Sequence, residues 1–238
     1  MAMDNDEKIR VCGRRYRQRQ TAGEAGWADK SSYLQKRTRI DAILAAGRMP
    51  AGGRFLELGC GNGNVALYMA RLGYEAHGMD RVPEAIDWAR TQAREQNLAA
   101  QFEVDSVVTL TPYGGNSFDF VFDANCLFMI IGEDRKACVG NVFRVLKPGG
   151  TFYAEAHLVN GRIKERMAFS AQDYFDPAGQ YSTVQGQPMY YFSREQEFTD
   201  LVEGAGFRIL RREKEPPPAA YQDMPFCAGD MWVEAVKP

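Results

Sequence analysis

The chain has 238 residues, of which 45% are hydrophobic and 25% charged, a composition typical of one globular domain with a sizeable core. Its net charge of −2 at pH 7 gives no overall attraction for nucleic acid, so we expect no nucleic-acid partner. The five cysteines form no Cys-x-x-Cys pair and only two histidines are present, which argues against a zinc site or a disulfide framework. We therefore expect no metal.

The N-terminal stretch bears on where the protein resides. It is acidic and polar, MAMDNDEKIR, whereas a signal peptide is basic and then apolar. The longest unbroken apolar run, CLFMII, is too short to span a bilayer. The sequence therefore predicts a cytoplasmic protein without a membrane partner. Residues 1–30 form a locally basic arm, which is either a solvated helix or frayed tail, or a lid that contacts an anion.

From residue 31 onward, helical and strand patterns alternate. A helix is predicted for SSYLQKRTRIDAILAAG, with serine caps at its start and Gly47 at its end. Residues 55–58 form a first strand, followed by a glycine-rich loop and the helix NVALYMARLG. The strand YEAHGMD, a helix with Pro83 in its first turn, and the strand QFEVD come next. This alternation is typical of βαβ units that form a parallel sheet.

The second half continues the pattern and then interrupts it. SFDFVFD is a fourth strand, GEDRKACVGNVFRVLK a helix that ends at Pro148, and TFYAEAHL a fifth strand. Residues 158–192 show no sustained period and exceed the length of a simple connection, so we expect an insertion that caps the site. The helix SREQEFTDLVEGAG, the strand FRILRREK, the loop PPPAAYQDMP and the strand DMWVEAV complete the chain.

The glycine-rich loop FLELGCGNGNV discriminates between ligand classes. A P-loop ends in Gly-Lys-Ser/Thr, whereas Gly63 is followed here by asparagine and valine, which excludes a nucleoside triphosphate. A dinucleotide site requires G-x-G-x-x-G, and here the third glycine comes one residue early. The loop therefore suits a ligand without a pyrophosphate, which disfavours a nicotinamide-dependent oxidoreductase.

The same loop carries a resemblance to a known family. FLELGCGNGNVA resembles motif I of the class I S-adenosylmethionine-dependent methyltransferases, with Glu57 as its acidic member. The segments GMD, FEVDS, FDFVFDANCLFMI and VFRVLKPGGTFYAEA resemble the motifs of the second to fifth strands, in the expected order, and REQEFTDLVEGAGFRI resembles the closing helix and strand. The resemblance implies a doubly wound, Rossmann-like α/β sheet of seven strands, mostly parallel with the last antiparallel, and helices on both faces.

The resemblance implies S-adenosylmethionine as the cofactor and assigns residues to it. The loop residues are Gly59, Cys60, Gly61 and Gly63; the glycines allow the backbone to approach the cofactor without a Cβ clash. Glu57 either holds the cofactor's ammonium group or only orders the loop.

Further cofactor residues follow the next strands. Asp80 can accept hydrogen bonds from the ribose hydroxyls, or can act as a helix cap, and Arg81 follows it. Asp105 and Ser106 occupy the positions that meet the adenine, although an acid at a strand end is often a turn residue. Asn125 lies where the family's backbone faces the methionine end.

The acceptor is less defined than the cofactor. The chain has DANC in place of the N/D-P-P-Y signature of amino-methylating enzymes, and we expect a small-molecule nucleophile. His157 is the candidate general base, or else a histidine bonded to a loop carbonyl. Cys126 has a faint likeness to a cysteine of arsenite methyltransferases, or is a small buried apolar residue. A non-catalytic S-adenosylmethionine-binding or partner subunit stays open as an alternative.

The tyrosines of the insertion carry two interpretations. They form either an aromatic wall over the acceptor or a hydrophobic cluster that holds the insertion in place; they are Tyr174, Tyr181, Tyr190 and Tyr191. The predicted organisation is an N-terminal arm or lid at residues 1–30 and a methyltransferase domain at 31–238, with a cap insertion at about 158–192. We expect the arm and the cap to close together over the cofactor and the acceptor.

Overall fold

The computed structural model describes residues 5–123, 125–218 and 221–238, with side chains from residue 7 onward. Residues 1–4 of the predicted arm, position 124 in the segment DANC and positions 219 and 220 of the predicted loop lie outside the described residues. The helices are α1 (Asn5–Thr21), α2 (Lys30–Ala45), α3 (Asn64–Arg71), α4 (Pro83–Glu95), α5 (Asp134–Val145) and α6 (Glu195–Gly204), with a 3-10 turn at Leu127–Met129.

The strands form one sheet. They are β1 (Arg54–Leu58), β2 (Glu75–Asp80), β3 (Ala100–Val104), β4 (Phe118–Asp123), β5 (Leu146–Val159), β6 (Met167–Ala168), β7 (Tyr174–Asp176), β8 (Tyr181–Val184), β9 (Gln187–Ser193), β10 (Arg208–Glu215) and β11 (Cys227–Val236). The central order is β3-β2-β1-β4-β5, all parallel, and β11 runs antiparallel between β5 and β10. The strand order reverses between β1 and β4, where doubly wound sheets open a crevice at their carboxyl ends.

The predicted α/β class and antiparallel last strand are confirmed, but the strand count of seven is wrong. The described sheet has eleven strands because the insertion forms the antiparallel series β6 to β9. The last β4–β5 pair is Phe122 with Tyr153, whereas β5 continues to Val159. Its free edge there pairs with β9, His157 opposite Phe192. Strands β6 and β7 have only two and three residues, too few to show a period of two in the sequence, and the burial of β9 does not alternate along its seven residues.

Two element ends also differ from the sequence-based expectation. The N-cap residue of α2 is Asp29 and not one of the two serines. Its carboxylate accepts a hydrogen bond from the Ser32 backbone N–H at 2.8 Å. Helix α5 ends at Val145, before the predicted proline stop, because the following residues already belong to β5.

Hydrophobic cores cover both faces of the sheet. One contains buried side chains from α5 and α6, including Val142 and Phe198, and the other contains side chains from α2, α3 and α4, including Ile40 and Ile86. A smaller cluster joins the arm to the domain: Tyr16 of α1 packs with Trp88 of α4. No helix in the described ranges is long and apolar enough to cross a membrane.

Candidate functional site

A cavity of about 920 Å³ lies at the carboxyl ends of the central strands, within the usual size range of small-molecule sites. We call its two sides the floor and the roof. The floor is residues 57–63, 80–82, 106–108 and 125–126, and the roof is the N-terminal residues 8–28 together with cap residues 174–189. The lining includes all but two of the predicted cofactor residues: Glu57, Gly59, Cys60, Gly61, Asp80, Arg81, Ser106 and Asn125.

The three loop glycines all have left-handed backbones, with φ of 59° at Gly59, 54° at Gly61 and 78° at Gly63, which strongly favours glycine. A Cβ on Gly61 would lie 2.5 Å from the hydroxyl of Tyr16. A Cβ on Gly63 would lie 2.7 Å from the ring of Phe102. Gly63 therefore serves the packing of α3 against β3, and it is not one of the cavity-lining residues.

Asp80 joins strand β2 to the glycine loop. One carboxylate oxygen accepts a hydrogen bond from the Gly61 backbone N–H at 2.9 Å, and the other accepts one from the Val82 N–H at 2.9 Å. Burial raises the pKa of Asp80. A carboxylate has about four lone-pair sites, so each oxygen can still accept a hydroxyl hydrogen bond. Asp80 thus acts as a cap and retains the acceptor capacity that a ribose diol requires.

Glu57 is a buried carboxyl group at the start of the loop. Its Oε2 accepts a hydrogen bond from the Ala66 backbone N–H at 2.8 Å, which joins β1 to the first turn of α3. Burial raises the pKa of Glu57 to about 8, and the nearby Lys36 ammonium opposes that rise. Because Glu57 also lines the cavity, it orders the loop and is placed to meet a cation.

The structure does not bring Asp105 to the cavity lining. Its carboxylate accepts a hydrogen bond from the Ser106 backbone N–H at 2.6 Å, and its own N–H donates to the Asp80 carbonyl at 3.2 Å. Asp105 thus makes the hydrogen bonds of a turn residue, and Ser106 lines the cavity. A direct contact between Asp105 and the cofactor stays a prediction.

Lys36 is a site residue that the motifs did not indicate. It is 8% exposed, its ammonium group donates a hydrogen bond to Asn125 Oδ1, and it lies 3.6 Å from Glu155 Oε2. Lys36 shares the buried side of α2 with Ile40 and Ile43. The sequence did contain one signal for Lys36: its helical spacing from two core isoleucines places it on the buried side of the helix. A lysine there needs a partner, because lysine is rarely buried without one.

The arm contacts the floor through side chains. Tyr16 lies over Gly61, with its ring centroid 5.4 Å from that of Trp27. The carbonyl of Ala25 accepts hydrogen bonds from the side-chain amides of Asn62 and Asn64, at 2.8 and 2.9 Å. We call this pair of hydrogen bonds the latch. The two asparagines of GNGN therefore bind the arm in this structure.

The cap places only two of its four predicted tyrosines in the cavity lining. Tyr174 and Tyr181 line it together with Gln187 and Met189. The other two, Tyr190 and Tyr191, contact protein groups: the first packs near Phe128 and the second donates a hydrogen bond to Glu197. Tyr190 packs against the hydrophobic cluster of the insertion, whereas Tyr191 is held by polar contacts with Glu197 and Gln180; an aromatic wall over the acceptor stays a prediction.

His157 lies outside the cavity lining. Its Nδ1 is 2.6 Å from a carboxylate oxygen of Asp230 on β11, and its ring stacks on Phe128 with centroids 4.1 Å apart. The partner is a buried carboxylate, not the loop carbonyl considered from the sequence, and nothing in the sequence linked the two residues. A catalytic role for His157 stays a prediction.

Cys126 lines the cavity, and burial raises the pKa of its thiol well above the ordinary value. The thiol is therefore protonated near neutral pH and is a poor metal ligand. No group of three His, Cys, Asp or Glu side chains in the described part of the chain is placed to hold a metal ion. The geometry therefore gives the arsenite alternative no support.

Comparison with known proteins identifies the family. A model described as a methyltransferase domain matches residues 56–154, the segment from β1 to β5 that carries the floor. Over this segment the chain is similar to the S-adenosylmethionine-dependent methyltransferases. The family resemblance drawn from the motifs is confirmed, and the cofactor of this family is S-adenosylmethionine.

Two curated relatives are similar in sequence. An S-adenosyl-L-methionine-dependent Diels-Alderase, iccD of Talaromyces variabilis, is 32% identical over 67% of this chain and 54% of its own length. A ubiquinone biosynthesis O-methyltransferase of Xanthomonas oryzae pv. oryzae is 36% identical over 55% of this chain and 53% of its own. The chain spans about half the length of the curated relatives it matches.

Among methyltransferases of known structure, the 1,6-didemethyltoxoflavin-N1-methyltransferase of Burkholderia thailandensis shares the fold. It superposes with a TM-score of 0.67, covers 100% of this chain and 92% of its own, and is 19% identical. That structure contains 1,6-didemethyltoxoflavin and S-adenosylhomocysteine. At this identity the similarity demonstrates the fold alone.

Proposed function

We propose that this chain is a cytoplasmic enzyme that transfers a methyl group from S-adenosylmethionine to a small-molecule nucleophile. The observation that carries the proposal is the floor, where Asp80 and the left-handed loop at Gly59 and Gly61 meet beneath a cavity of about 920 Å³. The curated O-methyltransferase relative supports the same reaction class.

The chain's own residues fit the parts of the cofactor. Asp80 would accept hydrogen bonds from the ribose hydroxyls, and Ser106 would lie beside the adenine. Glu57 and Asn125 would meet the methionine end. When bound, S-adenosylmethionine supplies a methyl group on a positively charged sulfur. Burial raises the pKa of Glu57 to about 8, and the ammonium group of the cofactor's methionine portion would favour the ionised form of this carboxyl.

The roof would supply the acceptor's surroundings. Apolar side chains of the arm and the cap, together with the turn after β4, line this side of the cavity, including Ile9, Met129 and Met189. Such a wall excludes water and orients an apolar or aromatic small molecule for in-line attack. The lid role of residues 1–30 and 158–192 is part of this proposal. No nucleic-acid partner is proposed, because arginines of α1 such as Arg10 and Arg17 pair with glutamates.

His157 is our candidate for removing a proton from the acceptor. The hydrogen bond between Nδ1 and Asp230 at 2.6 Å would orient the imidazole. Because the ring lies outside the lining, it would act through a movement of Phe128 or through a bridging water.

A second candidate function follows from the Diels-Alderase relative, which is named as dependent on S-adenosylmethionine. In this alternative the chain binds the cofactor without consuming it, and the roof encloses a substrate that rearranges. The floor would then be identical, and only the fate of the methyl group would differ.

The test is incubation with S-adenosylmethionine carrying a labelled methyl group and a panel of apolar phenols, thiols, amines and conjugated polyenes. Methyl transfer predicts labelled product and S-adenosylhomocysteine in equal amounts. A product isomeric with the substrate, formed without S-adenosylhomocysteine, would establish the second function instead. If calorimetry detects no binding of S-adenosylmethionine, both functions are wrong.

A further inference from the structure

Lys36 and Asn125 form a contact that neither the motifs nor the family model indicates. Lys36 lies on α2, and Asn125 lies in the turn after β4, 89 positions away in the sequence. Both line the cavity. Lys36 is almost completely buried, and it is the cation facing the carboxyl groups of Glu57, Asp123 and Glu155.

The ammonium group determines which way the Asn125 amide points. A lysine ammonium has only donors, so the atom of Asn125 that meets it must be the oxygen Oδ1. The amide nitrogen Nδ2 is then on the other side. In the hydrogen bonds of the described residues, that nitrogen donates to no protein group, and it lies beside the cavity. The backbone of Asn125 is left-handed, with φ of 71°, so the turn holds the side chain at this place.

We propose that Lys36 is a positioning residue that orients Asn125, so that the two Nδ2 hydrogens donate to the carboxylate of the cofactor's methionine portion. The proposal rests on S-adenosylmethionine binding as proposed above. Two N–H donors fixed toward one acceptor bind it without the entropy cost of ordering the side chain first. Lys36 itself keeps its hydrogen bond to Oδ1 and need not touch the cofactor.

A single Lys36→Met variant would be a poor test, because it leaves Glu155 buried without a counter-charge. Oε2 of Glu155 has no hydrogen-bond partner, and burial raises the pKa of Glu155 to about 7. The double variant Lys36→Met/Glu155→Gln removes both charges together and retains a polar side chain at position 155. The single variant Glu155→Gln is its matched control, because it leaves the Lys36–Asn125 hydrogen bond in place.

The ligands are S-adenosylhomocysteine, which has the amino-acid portion, and 5′-methylthioadenosine, which lacks it. Calorimetry on the double variant should show about tenfold weaker binding of S-adenosylhomocysteine, the usual effect of losing a hydrogen bond to a charged group. Binding of 5′-methylthioadenosine should change less than about twofold. Glu155→Gln should bind both ligands as the wild type does.

Asn125→Asp supplies the second arm of the test. An aspartate still pairs with Lys36 and preserves the thermal midpoint, but it presents a carboxylate where the proposal needs donors. This variant should lose S-adenosylhomocysteine affinity by about tenfold or more while keeping that for 5′-methylthioadenosine.

Two results would overturn the proposal. One is wild-type affinity for S-adenosylhomocysteine in a folded double variant. The other is an equal loss for both ligands, which would indicate a general disturbance of the floor. Failure of the cofactor assignment is distinguishable from either, since the wild-type protein would then bind neither ligand.

Discussion

The floor and the roof of the cavity are held together by different kinds of interaction. The floor is fixed by backbone conformation, because Gly59 and Gly61 have left-handed φ angles and Asp80 binds two backbone N–H groups. The arm side of the roof rests on the floor through side chains, mainly the latch to the Ala25 carbonyl and the contact of Tyr16 with the loop, whereas the cap is anchored by the pairing of β9 with β5. Because these side-chain contacts are few, they can break one at a time. We therefore infer a preformed floor and a roof that opens for exchange of the cofactor.

The largest expected effect comes from breaking the floor. Gly61→Val should weaken S-adenosylhomocysteine binding at least about 100-fold, because a β-branched residue disfavours a φ of 54° and its Cβ would lie 2.5 Å from the Tyr16 hydroxyl. Calorimetry measures the loss. Gly73→Val is the control: its φ is 87°, but no atom lies within 4 Å of the added Cβ. Equal affinity in the two variants would contradict the role of the loop.

The next effect concerns turnover. His157→Ala should reduce methyl transfer about 10²-fold and leave S-adenosylhomocysteine affinity unchanged, because the ring lies outside the cavity lining. Asp230→Asn should share part of the loss, since it removes the carboxylate that orients Nδ1. The assay uses whichever acceptor the labelled-methyl panel identifies. Unchanged turnover in His157→Ala would assign the pair a structural role.

Asp80 and Asp105 provide a sharper comparison within the floor. Asp80→Asn should weaken cofactor binding by about 1.5–3 kcal/mol, because charge-assisted hydrogen bonds to the ribose are lost. Asp105→Asn should change binding by less than about 0.5 kcal/mol, since its carboxylate binds the Ser106 N–H and does not line the cavity. The measurement is the calorimetric Kd of each variant. Equal losses would mean that Asp105 also contacts the cofactor.

The smallest effect should come from the latch. Asn64→Ala removes one of its two hydrogen bonds, worth about 1 kcal/mol, so tryptic cleavage of α1 within residues 10–19 should be about fivefold faster. Asn160→Ala is the matched control, because Asn160 also donates to a backbone carbonyl, that of Pro225, and neither residue lines the cavity. If both variants are cleaved at the wild-type rate, the latch does not hold the roof.

The floor could be predicted from the sequence because its determinants are local. Glycine spacing, an acid at the end of β2 and the order of the strands all lie within short segments. The roles of Gly63 and Asp105 were less accessible, because distinguishing packing or turn formation from ligand contact requires knowledge of which atoms face the cavity. Similarly, the sequence located the insertion but did not reveal its four strands.

The contacts that complete the site join distant positions. Lys36 meets Asn125 across 89 positions, and His157 meets Asp230 across 73. The pattern of residues within one helix or strand does not predict such pairs, because they depend on how α2 and β11 dock on the central strands. A lysine on the buried side of α2 was the only local sign of the first pair. The second pair left none.

Hydrogen–deuterium exchange of the wild-type protein, with and without S-adenosylhomocysteine, tests most directly whether the cofactor lies between the floor and the roof. The account predicts slower exchange on binding in three places: the loop at residues 59–63, helix α1 and the cap turn at residues 185–189. The slowing in α1 should be larger than that in the loop at residues 59–63, because the floor is already fixed by its backbone. Protection confined to the floor, with α1 and the cap unchanged while calorimetry shows full binding, would contradict the account.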